Sequence, residues 1–290
     1  MEPHTDTSKS LSPDERIAWL RLIRSERIGP RTFWNLLQRY HTASKVLDIL
    51  SFSDRKHGRE RKIPHEDDIK KEISKLSNNN LHLIAACEPE YPETLRAIDD
   101  APPFIILQGS PDCLQKPMIA IVGSRNASAA GLSFTNRLAK ELGEAGFVVV
   151  SGFARGIDTS AHQASIKTGT VAVLAGGHHR IYPSENVPLI KSITQNGGAL
   201  ISEMPLNWDP RGQDFPRRNR IISGLCYGVV IIEGALRSGS MITARFALEQ
   251  GREVCACSRF PFRSTLRRPK HTDTGRCFTL HVFRTYLVCH

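Results

Sequence analysis

The sequence predicts an α/β fold, a Rossmann-like doubly wound and mostly parallel sheet preceded by a small helical domain. Three observations carry that expectation. From about residue 117 to 254, short apolar runs alternate with helical patterns: Met118–Val122, Phe147–Val150, Val171–Ala175, Ala199–Ile201 and Gly228–Ile232. The connections between them are long enough to hold a helix, which forces parallel pairing and right-handed crossovers. Ahead of the runs, two helical patterns meet at an Ile-Gly turn.

In chain order, residues 1–11 are polar and read as disordered. Ser12-Pro13-Asp14-Glu15 opens a helix with a capping Ser, Pro at its first position and acids in its first turn, and Ile17, Leu20 and Ile23 follow on successive turns. Arg27-Ile28-Gly29-Pro30-Arg31 leads into a second helix carrying Phe33, Leu36, Leu37 and Tyr40. The pair resembles a helix-hairpin-helix or sterile-alpha-motif unit. The turn amides of a helix-hairpin-helix can hold a DNA phosphate, and a helical bundle packed for its own sake gives the same pattern. Ser51–Lys62 is polar and basic and reads as a solvated loop. A helix from about His65 to Leu76, a strand at Leu81–Ala86 and another at Phe104–Leu107 form the approach to the α/β domain. The expected division is a helical domain over 12–80, an extended Rossmann-like domain over 81–254, and a tail over 255–290.

The net charge is +10, but residues 255–290 hold seven Arg or Lys and one acid, so +6 belongs to the tail and +4 to the first 254 residues. Only clustering in the body points to a specific acidic ligand. The longest apolar runs are too short to span a bilayer and the amino-terminal stretch has no apolar signal region, which predicts a cytoplasmic protein. Seven cysteines without regular spacing read as free thiols rather than a zinc site or disulfide framework.

Ligands of doubly wound sheets bind at the carboxyl ends of the strands. Gly123-Ser124-Arg125 follows the first run, at a junction where helix amides and dipole favour a phosphate. Ser151-Gly152-Phe153-Ala154-Arg155-Gly156-Ile157-Asp158 follows the second, with Arg155 as a phosphate fork and Asp158 placed to cap the next helix. His162, one turn further on, reads as structural or solvated. Gly176-Gly177-His178-His179 lacks the partners of a metal site, and Tyr182-Pro183 makes a turn with Tyr182 available for stacking. Phe215-Pro216-Arg217-Arg218-Asn219-Arg220 is the strongest basic cluster, combining phosphate forks, an aromatic and an amide. After the last run, Glu233 to Thr243 is another small-residue turn, with Arg237 and Ser240. Arginines from these turns at one rim make the electrostatic footprint of a polyanion groove. No GxSxG, Walker or GxGxxG motif occurs, so neither catalysis nor a cofactor or metal is announced.

Together these motifs resemble the bacterial DNA-processing protein A (DprA/Smf) family. The match runs through Gly123-Ser124-Arg125, Ser151 to Asp158, Gly176 to Pro183, Glu185-Asn186, Phe215 to Leu225, and Arg237-Ser238-Gly239-Ser240 to Val254. The resemblance implies a non-enzymatic protein, usually dimeric, that binds single-stranded DNA, protects it during natural transformation and loads the RecA recombinase. Carried onto this sequence, Arg125, Arg155, Arg218 and Arg220 are expected at phosphates, with Gly123, Ser124, Asn219 and Ser240 lining the pocket and Arg237 among the DNA-binding residues.

From Cys255 the chain departs from the family pattern into an aperiodic mix that holds four of the seven cysteines. The tail reads as a shifted frame and is expected to be poorly ordered, removing the last sheet strand and the segment through which the family dimerises. Two other readings stand beside the DNA-binding one. One is a Rossmann-like phosphoribohydrolase, whose PGGxGTxxE motif is absent here. The other is a truncated product without function.

Overall fold

The structure is a computed structural model that describes residues 11–56, 61–235 and 238–257. Its centre is β3 (Met118–Gly123), whose side chains alternate across the sheet as strand geometry requires. Met118, Ala120 and Val122 pack into one apolar cluster and Ile119 and Ile121 into another on the opposite face. A strand covered on both faces must be apolar throughout, which is why it reads as a continuous run.

Around it stand β4 (Val148–Ser151), β5 (Thr170–Val173), β6 (Ala199–Ser202), β7 (Gly228–Ile232) and β8 (Glu253–Ala256). With β1 (His82–Ala85) and β2 (Phe104–Gly109) they form one eight-stranded sheet in the order β1-β2-β6-β5-β4-β3-β7-β8. All pairings from β6 to β8 are parallel. The two strands expected as an approach instead extend the sheet, β2 antiparallel to β6 and β1 antiparallel to β2.

Helices α6 (Ala129–Glu144), α7 (Ile157–Ser165) and α8 (Val187–Gln195) cover one face through residues such as Leu142, Ile157 and Ile193. The other face packs against α9 (Asp214–Gly224) and α10 (Gly239–Glu249), through Ile221, Ile222, Ala244 and Ala247. The same apolar cluster takes in the amino-terminal helices α1 (Pro13–Arg24), α2 (Pro30–Tyr40), α3 (Ala43–Lys56) and α4 (Glu66–Asn78), and Leu95 of the short α5 (Glu93–Arg96). Ser12 caps α1 as its sequence predicts, accepting from the Glu15 amide at 3.2 Å. Trp34 donates its indole N–H to the Ala101 carbonyl at 2.8 Å, and Arg24 donates to the Glu203 carbonyl at 3.0 Å, so the helical unit is fastened to the sheet.

Three expectations need correcting. Leu11, placed in the disordered end, packs against the core, while residues 1–10 lie outside the described residues. The stretch Ser51–Lys62 is helical as far as Lys56, because α3 carries Val46 and Leu47 into the core and continues from there. The sheet also does not stop short at Val254. Cys255 and Ala256 complete β8 in register with Val230 and Ile231, and Cys257 is buried, its amide donating to the Ile231 carbonyl. The rest of the tail, residues 258–290, lies outside the described residues.

From β3 the chain steps to β4, β5 and β6 on one side and later returns to β7 on the other. The order reverses between β3 and β7, and the carboxyl ends of those two strands flank the crevice where doubly wound sheets take ligands.

Candidate nucleic-acid interface

A cleft of ≈ 610 Å³ opens at that switch point. Its walls are the turn after β3 (Gly123, Ser124, Arg125, Asn126), the turn after β7 (Glu233, Ala235), the first turn of α10 (Ser238, Gly239, Ser240) and part of α9 (Phe215, Pro216, Asn219), with Tyr182 also lining it. Five of the residues expected from sequence meet here: Gly123, Ser124, Arg125, Asn219 and Ser240.

Arg125 is exposed, and its guanidinium lies over the Phe215 ring, 5.9 Å from the centroid. Phe215 in turn meets Tyr182 edge to face, centroids 5.4 Å apart, and Tyr182 is 52% exposed. A cation beside two accessible rings offers a phosphate contact and a base-stacking surface within one reach. On the opposite wall Asn219 donates to the Gly239 carbonyl at 3.0 Å, and the hydroxyls of Ser238 and Ser240 share a hydrogen bond of 2.8 Å.

The other expected arginines go elsewhere. Arg218 is 6% exposed and donates from one nitrogen to the Gly152 carbonyl at 2.6 Å and to the Val173 carbonyl. Burial pulls its guanidinium down to about 10, opposed by the charge of Asp158 and reinforced by that of Arg125, so it remains a cation at neutral pH. It supports the cleft from beneath and is not among the residues that line it. Arg220 is 3% exposed, bonded to Glu203 at 2.6 Å and facing Asp100 at 3.5 Å. A helix turns about 100° per residue, so arginines one and two places apart cannot share a face. Arg155 lies in a neighbouring groove, paired with Glu185. Arg237 lies outside the described residues.

Two carboxylates change the reading of the turns. Asp158 does not cap α7, whose cap position is Gly156; its Oδ2 accepts from the amides of Gly152 at 3.0 Å and Ala154 at 3.3 Å. Burial raises the pKa of Asp158, making it a weaker acid, while Arg218 and those amides oppose the rise. Gly152 has no room for a side chain, since a Cβ would come within 2.9 Å of both Asp158 and Arg218. An anion also occupies the amino end of α6, and it is the chain's own Glu233, which accepts from the Ser128 amide at 2.8 Å and from the Ser128 hydroxyl. Glu233 holds a left-handed backbone, φ 53°, and lines the cleft. Sequence reasoning missed that role, because nothing local marks a residue after a strand as the partner of a helix about 100 residues earlier.

His162 and His178 are buried and structural. His162 bonds Thr170 through Nδ1 at 2.8 Å, and burial, with help from Arg218, drops its titration to about 3. Burial takes His178 to about 4, against a hydrogen bond to the Leu200 carbonyl that opposes the drop. Among the described residues no cluster of His, Cys, Asp or Glu could hold a metal, and no helix is long and apolar enough to cross a membrane.

A doubly wound sheet with a polar, aromatic-walled cleft carrying Arg125 at its switch point, fastened to an amino-terminal helical unit, places the chain in the class of Rossmann-like proteins. Residues 82–272 match the family described as DNA recombination-mediator protein A, and residues 13–74 match the DprA-like N-terminal HHH domain. The chain belongs to the DprA/Smf family. It is 41% identical over 244 residues to protein Smf of Escherichia coli, an alignment covering 82% of this chain and 65% of that protein. The chain therefore spans just under two thirds of that relative's length. The X-ray structure of DprA from Streptococcus pneumoniae superposes with a TM-score of 0.58 at 30% identity, covering 79% of this chain and 86% of that one. The DprA of Helicobacter pylori, whose structure addresses its single-stranded DNA binding mode, superposes with a TM-score of 0.57 at 26% identity over 71% of this chain and 88% of that one.

Proposed function

We propose that the chain binds single-stranded DNA in the switch-point cleft, and that it does so as a recombination mediator rather than an enzyme. In this reading it protects incoming strands during natural transformation, passes them to the RecA recombinase and works in the cytoplasm. The observation that carries the proposal is the Arg125–Phe215–Tyr182 cluster at the mouth of the cleft. Arg125 contacts a phosphate, the two rings stack bases, and Asn219 with Ser240 supplies polar contacts along the opposite wall. Stacking is tolerant of sequence, as suits a protein that must accept any incoming strand. Family membership and the DNA binding of the Helicobacter pylori relative support the same reading.

The experiment is a salt series of binding to a labelled oligo(dT), comparing the parent with Arg125→Ala and Phe215→Ala. Losing Arg125 should flatten the log–log salt slope by about 0.7. Losing Phe215 should cost about 1–3 kcal/mol with the slope unchanged. Equal affinity and slope in all three proteins would remove the cleft from consideration. RecA transfer is tested by filament assembly on DNA coated with single-strand-binding protein, which the chain should accelerate and Arg125→Ala should not.

A further inference from the structure

Beside the cleft runs a second, polar groove of ≈ 770 Å³ between α6 and α7. Its cations are Arg137 from α6 and Arg155 from the turn before α7, and its walls carry Asn136, Gln163, Ser133 and Ser160. Resting on the reading of the cleft as a DNA site, we propose that this groove is a second track for the phosphate backbone of the same single strand, carrying it onward from the cleft.

Continuity between the two is built into one turn. Ala154 lines the cleft, and the next two residues, Arg155 and Gly156, line the groove. Gly156 has φ 75° and lies so close to the β3 turn that a Cβ would come within 2.3 Å of the Ser124 carbonyl oxygen. The Ile157 amide donates to that same carbonyl at 3.1 Å. The backbone that presents Arg125 to the cleft therefore touches the backbone that presents Arg155 to the groove. Only a low saddle of glycine and alanine separates them, and a strand leaving Arg125 would meet Arg155 next.

Charge and commitment favour the same route. No carboxylate lines the groove. Arg155 pairs with Glu185 and Arg137 with Glu141 at 3.8 Å, but all four side chains are more than half exposed, at 58%, 57%, 67% and 60%. Ion pairs of that exposure are weak in water, so either guanidinium can turn to a phosphate at little cost. Arg218 and Arg220, by contrast, are buried and held by partners within the chain. The amide and hydroxyl side chains between the two cations suit phosphate and sugar oxygens rather than an apolar partner.

The test compares the full chain with an Arg137→Ala/Arg155→Ala double variant on oligo(dT) of two lengths, one of about 5 nucleotides that fits the cleft alone and one of about 15 that reaches past it. The double variant should hold the short oligonucleotide as the parent does. It should bind the long one roughly tenfold more weakly, with a salt slope flatter by about 0.7 for each arginine. A long-oligonucleotide affinity and slope that match the parent's would overturn the proposal while leaving the cleft reading intact. Failure of the parent to bind either length would overturn both. Both side chains are exposed, so thermal melting should be unchanged and a folding defect is kept apart from a lost contact.

Discussion

The carboxylate of Glu233 holds the amino end of α6 by accepting from both the amide and the hydroxyl of Ser128. Ser128 in turn accepts from the Gly131 amide at 3.0 Å, and a Cβ on Gly131 would come within 2.6 Å of the Glu233 carboxylate. The helix dipole that could have drawn a phosphate into the cleft is thus already answered from within. That leaves Arg125 as the cation lining the cleft among the described residues.

Glu233→Gln should therefore strengthen DNA binding. The substitution removes a negative charge from the cleft wall while keeping a hydrogen-bonding oxygen, and a gain of about 1 kcal/mol, several-fold in Kd, is the expected size. Stability should fall by roughly 0.3–1 kcal/mol as the helix loses its anionic partner. Fluorescence anisotropy with oligo(dT) and a denaturant melt read the two effects separately, and weaker binding would show that the carboxylate contacts the ligand favourably.

Arg125 and Arg218 should separate binding from folding. Arg218→Ala strands the Gly152 and Val173 carbonyls and leaves the Asp158 carboxylate without its nearby cation, a loss of about 3–5 kcal/mol. Arg125→Ala should leave the melt within about 0.5 kcal/mol of the parent and abolish a phosphate contact. Urea titration of the two variants beside their DNA affinities checks the contrast. An Arg218→Ala protein as stable as the parent would return Arg218 to the list of ligand contacts.

Acid should destabilise the fold through two histidines. His162 and His178 are buried neutral, with titration at about 3 and about 4 against a usual 6.5. Their contribution is fully present above pH 6.5 and is lost as pH falls toward those values, because the unfolded chain takes up protons that the native one refuses. Each should cost about 1.4 kcal/mol per pH unit in that window, or about 2 kcal/mol by pH 5. His162→Gln should flatten the fall by one proton's worth, measurable by chemical denaturation at a series of pH values.

Gly156→Ala should damage the saddle itself. Its backbone is left-handed and its missing side chain would press on the Ser124 and Arg125 carbonyl oxygens, so a loss of at least about 1 kcal/mol is expected. DNA affinity should fall further than Arg155→Ala alone causes, since both turns move. Gly146→Ala, also at positive φ but with open space around it, is the control for backbone strain without the collision.

The parallel strands were legible because a strand buried on both faces has to be apolar throughout, as β3 and β7 are. The place of β1 and β2 was not. Antiparallel pairing at the β6 edge is a property of register, which the side chains of His82–Ala85 do not encode locally. Among site residues, the turn carrying Gly123, Ser124 and Arg125 was readable because a single turn presents them. The arginines of α9 looked like one cluster in the sequence, and the helix divides them: Arg217 and Arg220, three places apart on one face, both pair with the buried Glu203, while Arg218 turns under the cleft. Sequence adjacency carried the charge, and helical rotation decided its use.

The attachment of the amino-terminal helices has a last consequence for how the molecule comes apart. Two family segments meet near residue 80, yet Trp19 stacks edge to face on Phe104 at 6.0 Å and the same apolar cluster continues from α1 into the sheet. Inherited modules here are not separate melting units. Calorimetry should show one transition whose van't Hoff and calorimetric enthalpies agree. A protease site engineered at Asn80 should stay silent until the whole body opens.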